Sequence, residues 1–245
     1  MSSILQVEGG HPLRGEITVR GAKNFVPKAM VASLLADTPS ELYNVPLIRD
    51  TDVVSDLLSL HGVQIDFDQD RGTLRMDPSN VKIASRSDID TLAGASRIPI
   101  LFCGPLLHQL GEAFIPELGG CAIGGRPIDF HLETLRKFGA IVDKQPDGVH
   151  IKRPATGLHG AIIELPFPSV GATEQTLLTA VRNEGITTLK GAAIEPEILD
   201  LINVLQKMGA IISVDTDRTI RIEGVAKLNG YRHTALPDRI EAASW

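Results

Sequence analysis

The chain has 245 residues, of which 43% are hydrophobic, 22% are charged and only 4% are aromatic, a composition typical of soluble globular proteins. A net charge of −6, two cysteines and few aromatic rings argue against a basic nucleic-acid binder, a disulfide scaffold and a stacking platform for single strands. No apolar run reaches the roughly 18–20 residues of a membrane span, so we expect a cytoplasmic protein with neither a nucleic-acid nor a membrane partner.

The predicted elements repeat one pattern, which begins near the N-terminus. The segment "LRGEITV" (13–19) predicts a strand, and the loop "RGAKN" leads from it into a helix, "FVPKAMVASLLAD". A second, amphipathic helix ends at Gly62 and is followed by two strands in "VQIDFDQDRGTLRMD". This first unit therefore reads strand, helix, strand, helix, strand, strand.

Two further copies of the pattern follow. The middle copy contains the helix "ASRIPILFCGPLLHQLGE" and then "DFHLETLRKFGAIVDKQPDGVHIKR", in which Gly139 follows the second helix. The third copy contains the strand "LHGAIIEL" (158–165), the helix "PSVGATEQTLLTAVRNEG" and a long amphipathic helix that ends at Gly209. A glycine after each second helix is typical of a left-handed C-cap.

The repetition predicts the fold. Three βαβαββ units of about 70 residues, each with one-sided apolar helices, can bury their helices together inside the sheets. We therefore expect an α/β (α+β) domain of the inside-out barrel type, with helices inside and sheets outside. A fourth unit begins at "LNGYRHTA" (228–235), and "PDRIEAASW" predicts the first turns of another helix, which suggests a fragment of a longer protein.

Three equivalent helix starts carry polar or cationic residues. Lys23 and Asn24 stand before the first helix, Arg97 before its counterpart in the middle unit, and Ser169 and Gly171 before that of the third. Helix N-termini favour phosphates and carboxylates, so the three starts predict a converging anion site. Each residue also has a purely structural explanation: Asn24 and Ser169 would cap helices, and Lys23 and Arg97 would be solvated at the surface.

A glycine-rich loop, "GGCAIGGRPIDFH" (119–131), holds Cys121 with Arg126 five residues on. The arginine would stabilise the thiolate of an exposed cysteine or an anionic substrate beside it, whereas an inert cysteine in a connecting loop remains the alternative. Cys103 lies in an apolar helix and is predicted to be core packing. His61 and His131 are predicted to lie on helix surfaces, and no cluster has metal-ligand spacing.

Seven segments, in order, resemble the UDP-N-acetylglucosamine enolpyruvyl transferase (1-carboxyvinyltransferase, MurA) family: "GAKN", "NVPLIRD", "ASRIPILFCGPLL", "GGCAIGGRPIDFH", "PSVGATE", "AAIEPEI" and "LPDRIEA". The cysteine loop distinguishes this family from 5-enolpyruvylshikimate-3-phosphate synthase, the relative that lacks it. The resemblance implies a first domain over residues 23–230, with residues 1–22 and 231–245 belonging to a second, mostly absent domain.

The resemblance also implies a reaction. The enolpyruvyl group of phosphoenolpyruvate moves to the 3-hydroxyl of UDP-N-acetylglucosamine and phosphate is released, with no metal and no organic cofactor. Cys121 would be the general acid that also forms a covalent adduct with phosphoenolpyruvate and is alkylated by fosfomycin. Lys23 and Asn24 would contact phosphoenolpyruvate, and Arg126 would lie near its phosphate. The implied UDP-sugar contacts are Arg97, Arg126, Pro127, Ile128, Asp129, Phe130, Ser169, Val170 and Gly171.

Two departures from the family pattern bear on this function. Phe167 stands where the family usually has a lysine before Ser-Val-Gly, so one cation near the nucleotide is missing. The second domain, which would supply the general-base aspartate and several arginines, is largely absent. The alternatives are therefore an isolated UDP-sugar-binding module without turnover, or the shikimate-pathway relative. The sequence leaves the oligomeric state open.

Overall fold

The computed structural model describes residues 14–93, 97–116 and 128–245, together with residues 4, 6, 8–10 and 12. Cys121, Arg126 and Pro127 lie outside the described residues. The described helices are α1 (Val26–Ala32), α2 (Arg49–Leu60), α3 (Arg86–Ala93), α4 (Cys103–Gln109), α5 (Asp129–Lys137), α6 (Val170–Ala180), α7 (Pro196–Met208) and α8 (Arg239–Ser244). Short 3₁₀ helices at Ser33–Leu35 and Ile98–Phe102 extend α1 and precede α4.

Eleven described strands form three sheets. They are β1 (Ser40–Tyr43), β2 (Gln64–Asp68), β3 (Thr73–Asp77), β4 (Glu112–Ile115), β5 (Ile141–Gln145), β6 (Gly148–Lys152), β7 (Ile162–Glu164), β8 (Ile186–Lys190), β9 (Ile211–Val214), β10 (Ile220–Glu223) and β11 (Arg232–Thr234). The strand orders are β11-β1-β3-β2, β4-β6-β5 and β7-β8-β10-β9, so each unit supplies most or all of one sheet, and β11 adds an edge strand to the first. β11 and β7 pair parallel with β1 and β8, and the other pairs are antiparallel.

The helices form the centre of the molecule and the sheets lie outside them. The 3₁₀ segments continuous with α1 and α4 bring these two helices together, α4 packs on α6, and the outer helices α2, α5 and α7 pack against this inner group. α6 is the most enclosed helix, since every residue from Ala172 to Ala180 is buried. The α/β class with inner helices is confirmed, although the described strands form three separate sheets and no closed barrel.

One backbone contact recurs where each unit passes to the next. In the connection after each unit's strand pair, one residue donates its N–H to the carbonyl at the end of that unit's second helix: Lys82 to His61 at 2.8 Å, His159 to Phe138 at 3.2 Å, and Asn229 to Met208 at 2.8 Å. The glycines predicted after these helices adopt left-handed φ values of 85°, 92° and 108° at Gly62, Gly139 and Gly209. The repeat seen in the sequence is therefore also present in the backbone structure.

The predicted first strand is not present in every unit. Residues 158–165 and 228–235 give β7 and β11 as predicted, but the strand predicted at 13–19 is wrong, because its described residues form no strand. β11 occupies that edge instead, with Leu42 opposite His233. Part of the 231–245 segment thus completes the first sheet. In the middle unit, helix α3 follows the junction instead of a strand.

Candidate functional site

Lys23 and Asn24 lie in the turn that opens α1. The N–H groups of Phe25 and Val26 both donate to the carbonyl of Ala22, at 3.0 and 2.9 Å, which gives the turn its shape. The backbone N–H of Lys23 donates to Asp238 Oδ2 at 2.8 Å, so the segment before α8 anchors the turn. The Lys23 Nζ lies 3.3 Å from Asp50 Oδ2 with 63% of its side chain exposed, so it can reach an anion in solvent.

Lys28, in the first turn of helix α1, contacts the preceding Lys23–Asn24 turn through its side chain. Its Nζ donates to the backbone oxygen of Asn24 at 2.8 Å and lies 3.5 Å from Glu174 Oε1 on α6. The two side chains are only 13% and 5% exposed. Burial raises the pKa of Glu174 to about 7, although the charge of Lys28 acts in the opposite direction.

The start of α6 supplies the second part of the site. Ser169 is the N-cap residue, and its Oγ accepts a hydrogen bond from the Ala172 N–H at 3.3 Å. Val170 and Gly171 form the first turn, where backbone N–H groups lack carbonyl partners within the helix and favour an anion. A Cβ on Gly171 would lie 2.8 Å from His131 Nε2, so the glycine permits α5 to approach α6 closely.

His131 was predicted to lie on a helix surface, but it is half-buried and its ring faces Gly171 of α6. Its Nδ1 is buried and has no partner among the described residues, and the same holds for Oε1 of nearby Gln175. Burial, with a smaller contribution from the charge of Arg97, lowers the pKa of His131 to about 4. His61, also predicted to be a surface residue, is 5% exposed. Both histidines face the interior because their helices pack against other helices on that side.

The start of α5 contributes a charged side chain and an aromatic side chain. Ile128 is the N-cap residue of α5, and exposed Asp129 lies 3.4 Å from the Nζ of Lys144. Phe130 packs edge-on against Phe167, with ring centroids 5.2 Å apart. The position where the resemblance implies a lysine therefore carries an aromatic side chain that contacts another candidate residue.

A charged cluster next to Glu174 was missed by sequence reasoning. Glu195 and Glu197 stand at the start of α7, and both act electrostatically on Glu174. Glu197 is 4% exposed and receives two hydrogen bonds from Arg239, at 2.9 and 3.3 Å. The available signal was the run "GATEQT", which places four polar residues in the helix that the structure encloses most completely.

Contacts among these elements bring the three predicted helix starts to one region. The Lys28–Glu174 pair joins the start of α1 to α6, and Arg97 caps the 3₁₀ segment that packs against both α1 and α6. The region combines exposed Lys23, the half-buried Arg97 and the N-terminus of α6, so it can hold an anionic ligand. Within the described part of the chain, no three His, Cys, Asp or Glu side chains are arranged to hold a metal ion.

Comparison with known proteins shows which family the sequence matches. The family model described as EPSP synthase (3-phosphoshikimate 1-carboxyvinyltransferase) matches residues 7–245. The UDP-N-acetylglucosamine 1-carboxyvinyltransferase of Protochlamydia amoebophila is 44% identical over 246 residues, covering 99% of this chain and 52% of the relative. The enzyme of the same name from Acidiphilium cryptum is 45% identical, covering 98% of this chain and 56% of that relative. The chain spans about half the length of the curated relatives it matches.

Solved structures support the same fold. The enolpyruvyl transferase NikO from Streptomyces tendae superposes with a TM-score of 0.83 at 23% identity, covering 97% of this chain and 55% of that one. The EPSP synthase of Acinetobacter baumannii gives a TM-score of 0.73 at 19% identity, covering 94% of this chain and 51% of that one. No described helix is both long and apolar enough to cross a bilayer. The resemblance drawn from the motifs is thus confirmed, and the chain belongs to the EPSP synthase family of enzymes.

Proposed function

We propose that this chain supplies one wall of an active site that transfers the enolpyruvyl group of phosphoenolpyruvate to the 3-hydroxyl of UDP-N-acetylglucosamine. Phosphate leaves in the reaction, which would be the first committed step of peptidoglycan synthesis in the cytoplasm. The observation that supports this most is the junction between the Lys23–Asn24 turn and α6, made by Lys28 and Glu174. This contact supports the proposal, because a cationic turn next to a helix N-terminus would offer positive charge and free N–H groups to two anionic substrates.

On the phosphoenolpyruvate side, Lys23 would counter the substrate's charge and Asn24 would donate to it. In the structure the exposed Lys23 ammonium lies 3.3 Å from the half-buried Asp50, so binding exchanges this ion pair for one with the substrate. Ion pairs at a protein surface contribute little free energy, about 1 kcal/mol or less, so this pair does not oppose the exchange strongly.

On the nucleotide side, Ser169, Val170 and Gly171 would bind the diphosphate at the start of α6, with Arg97 adding a positive charge. Ile128, Asp129 and Phe130 would line the UDP-sugar site. Phe167 in place of a lysine removes one cation, so we expect weaker diphosphate binding and a larger share for Arg97.

Cys121, Arg126 and Pro127 complete the proposal from outside the described residues. Cys121 would donate a proton as the acid, and Arg126 would bind the phosphate that leaves from the tetrahedral addition intermediate. A closed, dry site would strengthen these electrostatic contacts. No cofactor is required by this chemistry, and fosfomycin would alkylate Cys121.

Phosphate release from phosphoenolpyruvate, measured with and without UDP-N-acetylglucosamine, tests this function. We expect none from the 245-residue chain alone. We expect sugar-dependent release from the chain fused to the remaining half of the Protochlamydia amoebophila relative, and its loss in C121A of that fusion, because the cleft then has both walls. The matched control is C103A of the fusion, at a buried cysteine of the core.

The chain spans about half of its relatives, which gives the isolated binding module a specific basis as a second candidate. Saturable UDP-N-acetylglucosamine binding by the 245-residue chain, with no turnover by the fusion, would favour that module. Release by the chain alone would mean that a second wall is unnecessary or comes from a second copy. A fusion that releases phosphate with shikimate 3-phosphate instead would favour the shikimate-pathway relative.

A further inference from the structure

Lys28, the third residue of α1, contacts the turn before the helix through its side chain. Its backbone N–H donates to the carbonyl of Phe25, at 2.9 Å, and not to that of Asn24. The Asn24 carbonyl instead accepts from the Lys28 Nζ at 2.8 Å. Asn24 precedes Phe25, the N-cap residue of α1, so its carbonyl lies outside the hydrogen bonds of the helix backbone and the Lys28 side chain supplies a donor to it.

Glu174 fixes the other end of this side chain. It lies on α6, within the fully buried stretch that runs from Ala172, and its Oε1 is 3.5 Å from the Lys28 Nζ. Thr173, the preceding residue, accepts on Oγ1 from the N–H of Ala193 at 3.0 Å, which ties α6 to the segment before α7. Glu174 therefore projects from a rigid helix, whereas the Lys23–Asn24 turn is exposed.

The charges around the pair favour this orientation of Lys28. Glu195 and Glu197, at the start of α7, act on Glu174 with the same sign, and Arg239 is bound to Glu197 at 2.9 Å. His131 of α5 faces α6 one turn earlier, at Gly171. Glu195 and Glu197 make the surroundings of Glu174 acidic, which favours the buried position of the Lys28 ammonium beside it.

We propose that Lys28 and Glu174 are positioning residues: they clamp the Asn24 carbonyl, and so hold the Lys23–Asn24 turn in the geometry that binds phosphoenolpyruvate, without touching the substrate. The identity of the ligand in this inference rests on the proposed function. The claim that Lys28 and Glu174 hold the turn rigid does not. The clamp also joins the phosphoenolpyruvate side of the site to the helix that starts at the nucleotide side.

The first experiment measures the turn itself in the 245-residue chain. K28M keeps the length of the side chain and removes its charge and donors, and E174Q keeps the volume and removes the carboxylate. We expect hydrogen exchange of the peptide that spans residues 21–26 to be at least about fivefold faster in both variants. The peptide that spans α7 should exchange at an unchanged rate, which separates a local effect from global unfolding. K190M and E223Q, on exposed faces of β8 and β10, are the matched controls.

The second experiment measures ligand binding by NMR titration of the same variants. K28M and E174Q should weaken phosphoenolpyruvate binding about five- to tenfold and leave UDP-N-acetylglucosamine binding within about twofold of the unmodified chain. K28R, which keeps a donor and the charge, should recover most of the loss. This split between the two ligands would not arise if the pair merely stabilised the fold.

Unchanged exchange at residues 21–26 in K28M would overturn the clamp. So would faster exchange with unchanged phosphoenolpyruvate affinity, or an equal loss for both ligands, since the pair would then be structural only. If the unmodified chain and the fusion bind neither ligand, the proposed function itself fails, and the exchange experiment still decides whether Lys28 holds the turn.

Discussion

Gly104 shows how a single missing side chain allows the inner helices to pack. A Cβ at this position on α4 would collide with Thr179 Oγ1 of α6 and would lie only 3.0 and 3.1 Å from the Thr179 Cβ and Cα. Because one of these contacts is with the backbone, a change of rotamer cannot relieve the collision. The two helices would have to separate, and both run through the buried centre.

We therefore predict that G104A destabilises the chain by about 1–3 kcal/mol, the usual cost of overpacking a core. Urea denaturation gives the free energy of unfolding. The double variant G104A/T179A should recover part of the loss, because Thr179 supplies the closest contact. Equal stability of G104A and the unmodified chain would show that α4 and α6 can move apart without cost.

The candidate residues differ in how far sequence could identify them. Lys23, Asn24 and Ser169 stand at helix starts that periodicity and turn residues locate, and Cys103, which lies in an apolar run, is fully buried as predicted. Lys28 and Glu174 were not identified, because their contact depends on how α1 packs against α6. A lysine one turn into a helix carries no local signal of a partner some 150 residues away.

Helices and hairpins could be predicted where the pattern was local. The amphipathic helices and the left-handed glycines that follow them are confirmed, as is the hairpin of β9 and β10. The strand at 13–19 failed because a strand needs a partner, and the edge of β1 is taken by β11. A parallel pairing between residues near 42 and 233 has no signature in either segment alone.

Asp238 links the last described helix to the Lys23 turn. One of its oxygens accepts from the N–H groups of Ile240 and Glu241, at 2.8 and 3.2 Å, and caps α8. The other accepts from the Lys23 N–H at 2.8 Å. Burial alone would raise the pKa of Asp238, but these backbone hydrogen bonds outweigh it, so the pKa is lowered and the carboxylate is the favoured form.

We predict that D238A lowers the free energy of unfolding by about 1–2 kcal/mol, since it removes a helix cap and a charge-assisted hydrogen bond. D238N, which keeps an acceptor, should lose less. D56A, at an exposed position of α2, is the control for removal of an aspartate. If D238A and D56A unfold at the same urea concentration, Asp238 does not anchor the turn.

The interior of the molecule is more polar than the apolar periodicity suggested. The inner helices enclose Glu174, Gln175 and Thr179, and the Nε2 of His108 lies 2.8 Å from the carbonyl oxygen of Thr179. Burial lowers the pKa of His108 and of His131 to about 4. Both histidines are therefore neutral in the folded protein near pH 6, whereas in the unfolded chain an ordinary histidine is partly charged there.

These groups predict how the stability of the whole chain depends on pH. Between about pH 6.5 and 4 the unfolded chain binds more protons at His108 and His131, so acidification lowers stability, by at most about 3 kcal/mol for each histidine. Glu174 acts with the opposite sign, because its pKa is raised to about 7 and its contribution is lost as the pH rises from about 4.5 to 7. Urea unfolding at intervals from pH 4.5 to 7.5 should therefore give a flatter curve for H108Q and a steeper one for E174Q. H159Q, at an exposed histidine, is the matched control, and an unchanged slope in both test variants would contradict the prediction.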